Sequence, residues 1–70
     1  MNIGLRIKQC RKLKGLTQEG LAKASGISLM SVRRYESGER IASEKVLHSI
    51  ANALGVSFFD LVKGPIESDR

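Results

Sequence analysis

Cysteine, proline, histidine and aromatic residues are nearly absent from this 70-residue chain, and each shortage excludes something. A single cysteine, Cys10, excludes an intramolecular disulfide framework and a Cys-rich zinc site. One histidine, His48, leaves no nucleophile–base pair and no metal cluster, and there is no Gly-rich phosphate loop. Tyr35, Phe58 and Phe59 are the only aromatics, and the β-branched alternation that marks strands is missing. No apolar run is long enough for a membrane span or a secretory signal, so a soluble cytoplasmic protein without a bound cofactor is expected. An enzyme is not expected.

What remains is helical and basic. Twelve Lys and Arg against seven Asp and Glu give a net charge of +5. Ten of the twelve lie in residues 1–45, which hold only four acids, so the positive charge is concentrated on one part of the domain. Such polarity suits a polyanionic partner. A core this small is marginal unless its helices pack well.

Apolar residues recur at helical spacing in five blocks. Ile3, Ile7 and Cys10 share a face, which Leu13 is expected to extend before Gly15 ends the helix. A second helix runs roughly from Gln18 to Ser25 behind a Thr17 cap and stops at Gly26. Ile27 buries in the angle, Ser28 caps a third helix running roughly from Leu29 to Glu36, and Gly38 opens a loop. Ser43 precedes a fourth helix with a buried stripe of Val46, Leu47, Ile50, Ala51 and Leu54, ended by Gly55. Ser57 caps a short fifth helix, Phe58 to Val62, closed by Gly64 and Pro65. One domain over residues 1–64 is expected, with residues 65–70 a polar tail or the start of a linker.

Helices two and three, joined by a tight turn, have the spacing of a helix-turn-helix, which places its second helix in the major groove of DNA. Taking Val32 as the inward direction and turning about 100° per residue, Tyr35 and Glu36 point inward, Leu29 lies at the boundary and Arg33 at the flank. Met30, Arg34 and Ser37 point away. Ser28, Leu29, Met30, Arg33 and Arg34 are therefore the candidate base contacts, because arginine forks onto guanine and apolar side chains meet the thymine methyl. Leu29 and Met30 also fit a packing role or a protein contact. Gln18 opens helix two, where the helix dipole attracts a phosphate. Arg11, Arg40 and Ser37 complete the expected phosphate set.

Cys10 reads as a small buried hydrophobe, His48 as a surface residue and Tyr35 as core. Phe59 points outward from helix five, an exposed aromatic suited to a dimer interface or to partial burial under the tail.

In order and spacing, the chain resembles the phage repressor/Cro (Xre-type) helix-turn-helix family over Ile3 to Gly64. The resemblance rests on GLTQ at 15–18, Leu21-Ala22, GIS at 26–28, Val32, ESG at 36–38 and IANALGVS at 50–57. It implies an all-α fold, a compact five-helix lambda-repressor-like domain, acting as a homodimeric repressor on a palindromic operator in double-stranded DNA. It implies that Gln18 holds a phosphate and braces the recognition helix. Leu29, Met30 and Arg34 fall on base-reading positions, and Arg11 pairs internally with Glu36. Leu29 and Met30 stand where many relatives carry Gln, Thr or Ser. The competing reading is a protein-interaction module, such as an antitoxin, that uses the same helices to bind a partner protein.

Overall fold

The computed structural model describes residues 2–63 and contains five α-helices and no strand among them. They are α1 (Ile3–Leu13), α2 (Gln18–Ser25), α3 (Leu29–Ser37), α4 (Glu44–Leu54) and α5 (Phe58–Lys63). Gly64, Pro65 and the polar tail, including the expected domain boundary, lie outside the described residues.

Short polar residues start the helices by accepting an otherwise orphaned backbone N–H. Asn2 accepts from Leu5, Thr17 from Gly20, Ser28 from Ser31 and Ser43 from Val46. Gly26 ends α2 at φ +74°, a left-handed conformation that directs the N–H groups of Gly26 and Ile27 onto the Ala22 carbonyl at 3.0 and 3.1 Å. The chain therefore turns sharply over Gly26, Ile27 and Ser28 and enters α3 at a fixed angle to α2.

The core is one cluster drawn from all five helices. Ile7, Leu21, Val32, Ile50, Leu54 and Leu61 are almost fully buried and touch within it. Each such side chain contributes roughly 1.5–3 kcal/mol of burial free energy. α4 supplies the largest share through Leu47, Ile50, Ala51 and Leu54, while Val46 at the edge of the same stripe is half-buried.

One apolar expectation is corrected. Leu13 is 80% exposed. It follows Ile7 by six residues, so the helix has turned it about 120° away from the core. Tyr35 and Phe58 are half-buried and pack against the core, and the Phe58 ring stacks on His48 at a centroid distance of 4.2 Å.

Gly4 sets how closely α1 approaches α3. A Cβ there would run into the Tyr35 carbonyl oxygen, so the start of α1 lies directly against the last turn of α3. Behind it, buried Arg6 donates from Nε to the Leu61 carbonyl at 3.0 Å and from Nη2 to the Asp60 carbonyl. These bonds tie α5 to α1.

Candidate nucleic-acid interface

The site begins with a buried polar knot beneath α3. Glu36, facing inward near the helix end, accepts from Arg11 Nε at Oε2 (2.7 Å) and from Arg11 Nη2 at Oε1 (3.1 Å). Gln18 Nε2 donates to the same Oε1 at 3.0 Å. Arg11 Nη1 donates to the Leu16 carbonyl at 2.8 Å, in the turn leading to α2. One carboxylate thus joins α1, α2 and α3, the three elements that must keep α3 at a set angle. Buried polar groups are tolerated when their partners are supplied, and here three donors meet two oxygens.

Arg11 was expected both to pair internally and to meet a phosphate. Only the pairing fits the geometry, because its side chain is 9% exposed and its guanidinium is turned into the fold. Gln18 is half-buried at the start of α2 with one amide hydrogen committed to Glu36, so it lies between the knot and the surface.

Above the knot, the first half of α3 is open. Met30 is 52% exposed and Arg33 is also exposed. Leu29 is half-buried against the core, so it contributes to packing as well as to surface. A shallow hollow of about 280 Å³ brings Gln18, Leu29 and Arg33 together with Thr17 and Glu19, where the start of α2 meets the start of α3. Ser28 is exposed, but its hydroxyl is engaged with Ser31, accepting the backbone N–H at 3.1 Å and lying 2.9 Å from the Ser31 hydroxyl.

The far end of α3 is partly covered. Arg34 has a side chain 43% exposed, and the following turn folds back onto its backbone. Its carbonyl accepts from Ser37 Oγ (3.1 Å) and from the Arg40 N–H (3.2 Å). Ser37 Oγ also accepts the Glu39 N–H at 3.2 Å. The single hydroxyl hydrogen of Ser37 is spent inside the turn, so a phosphate would have to displace that bond. Arg40 is exposed next to this turn. Phe59, on α5, is 64% exposed.

Sequence reasoning missed Arg6, Gly4, Asn2 and Glu39. Arg6 had a signal, since it lies one turn before buried Cys10 on the same face. Gly4 had one too, because glycine inside a helix costs stability and points to a close approach.

A helix-turn-helix family model matches residues 7–61. The transcriptional regulator YazB of Bacillus subtilis is 45% identical over 58 residues, covering 83% of this chain and 84% of the relative. Two further regulators of that organism, 43% and 39% identical, are longer, and the chain spans 50% and 56% of their lengths. Among solved structures, the restriction-modification controller protein C.AhdI of Aeromonas hydrophila superposes with a TM-score of 0.83 at 35% identity, over 86% of this chain and 91% of the other. The P22 c2 repressor, crystallised with a synthetic operator, gives 0.80 at 30% identity over 91% and 97%.

Proposed function

The chain belongs to the helix-turn-helix family of the phage repressor/Cro (Xre) type, and on that premise we propose that this DNA-binding regulator represses transcription from a palindromic operator, as a dimer, by laying α3 in the major groove. The observation that carries this reading is the contrast between the two sides of α3. Its inner side is locked by the Glu36 knot, while its first half offers Met30 and Arg33 to solvent. A helix that reads bases needs both, because a mobile reader loses the geometry on which bidentate contacts depend.

In this reading Arg34 and Arg33 reach base edges, with Ser28 and Leu29 at the margin. Met30 lies against a thymine methyl. Gln18 and Arg40 hold phosphates and set the register. Phe59 provides an apolar anchor for the second copy. The two recognition helices then enter successive major grooves, with half-site centres about 34 Å apart. No helix among the described residues is long and apolar enough to cross a membrane. A cytoplasmic location is part of the same proposal, as DNA is the partner.

Selection of binding sites from random duplex DNA tests it. A palindrome with half-sites one helical turn apart is the expected outcome. No enriched sequence would overturn the operator reading and favour a protein-interaction module acting through Met30 and Phe59.

A further inference from the structure

Glu39 is an acid among the cations of the proposed DNA face, with Arg33 and Arg34 before it in the sequence and Arg40 directly after. Its Oε2 lies 3.8 Å from Arg34 Nε, with the two side chains 67% and 43% exposed. The Glu39 backbone is held by the turn, which sets where its side chain leaves the chain. The Glu39 N–H donates to Ser37 Oγ, whose own hydrogen goes to the Arg34 carbonyl, and that carbonyl also receives the Arg40 N–H. Arg34 is therefore met by this turn at both its backbone and its side chain.

A carboxylate near a phosphate backbone costs affinity, since it repels the polyanion that the rest of the face attracts. Its position relative to Arg34 offers a return. Glu39 faces the Nε edge of the guanidinium, which leaves the terminal Nη fork for the O6 and N7 acceptors of guanine. An arginine without such a neighbour is equally free to take a phosphate, and phosphate contacts carry no sequence information. Specificity is a difference of affinities, and a repulsive element is an effective way to create one.

We propose that Glu39 is a specificity-determining residue, orienting Arg34 toward the base edge and penalising its use as a phosphate clamp. The proposal rests on the reading of α3 as the helix that contacts bases. It gives Glu39 two effects of opposite sign: weaker binding to any duplex, and sharper discrimination at the base pair read by Arg34.

The test is a set of competition titrations at one salt concentration with wild type, Glu39→Gln, Arg34→Ala and the double variant. The duplexes are the selected operator, its single-base variants and a scrambled sequence. Glu39 is exposed, so thermal melts of Glu39→Gln should match wild type. Glu39→Gln should bind scrambled duplex about threefold or more tighter, and should lose about threefold or more of the preference at the Arg34 base pair, the range of an exposed ion pair. With Arg34 already replaced, Glu39→Gln should leave that preference unchanged. Equal strengthening on every duplex would overturn the proposal and leave Glu39 a simple repelling charge. A change of preference that persists without Arg34 would also overturn it. Arg34→Ala with every base preference intact would defeat base reading by Arg34 itself, in a variant where Glu39 is untouched, and the role of Glu39 with it.

Discussion

Arg11 Nε lies 2.7 Å from Glu36 Oε2, and Arg11 Nη2 lies 3.1 Å from Oε1, a two-point clamp between the first helix and the end of the third. Both side chains are more than nine-tenths buried. The clamp is completed by Gln18, so the orientation of α3 depends on α1 and α2 together. A buried pair of this kind contributes geometry more securely than net stability, because desolvation offsets much of its attraction. Losing one partner is a different matter, since it strands a charge.

That asymmetry predicts the behaviour of the variants. Arg11→Ala should lower folding stability by about 3–5 kcal/mol through the unpaired Glu36. Glu36→Gln should also destabilise, because it strands the buried Arg11 guanidinium, which cannot shed its proton. Denaturant melts of both variants and the double replacement form the cycle. A coupling of at least about 1 kcal/mol is expected for residues that share hydrogen bonds, and strictly additive losses would contradict the clamp.

Gly4→Ala has an expected sign opposite to its propensity. Alanine in a helix interior ordinarily gains up to about 1 kcal/mol over glycine. Here the added Cβ meets the Tyr35 carbonyl, so α1 must shift off α3 and stability should fall by roughly 1–3 kcal/mol. A variant that melts later than wild type would show that the two helices are not in close contact.

Arg6 holds the Asp60 and Leu61 carbonyls of a six-residue helix that is too short to persist alone. Arg6→Met should remove charged hydrogen bonds worth about 1.5–3 kcal/mol and loosen α5 first. Hydrogen exchange should report lost protection in residues 58–63 ahead of α2 and α3. Uniform loss of protection across all helices would contradict a local role.

The helices α2 to α5 were legible because each begins at a short polar cap and carries apolar residues at a spacing of three and four, while α1 was legible from its apolar spacing alone. The helix-turn-helix was readable from Thr17, Gly26, Ser28 and Val32 for the same reason. Leu13 was misread because it was reached by a step of three from Cys10, although the same turn of about 100° per residue places it about 120° from Ile7. Arg6 and Gly4 were missed because their roles exist only once α5 and α3 lie against α1, a relation that no local spacing encodes. The Arg11–Glu36 pairing came from family resemblance, since 25 residues separate the two in the chain.

Electrostatic docking predicts a steep dependence on salt. With roughly four to six phosphate contacts per subunit, the slope of log affinity against log salt should approach −0.9 per phosphate. Arg40→Ala should reduce the magnitude of the slope by about 1 and weaken operator and scrambled duplex alike. Titrations between low and moderate salt check this, and a flat dependence would remove the phosphate-facing role of the basic surface.

The central claim is that α3 reads sequence, and the ratio of two dissociation constants tests it most directly. Wild-type protein is titrated against its selected operator and against a scrambled duplex of equal length at the same salt. The account predicts that the operator binds at least about a thousandfold more tightly, and equal affinity for the two duplexes would contradict it.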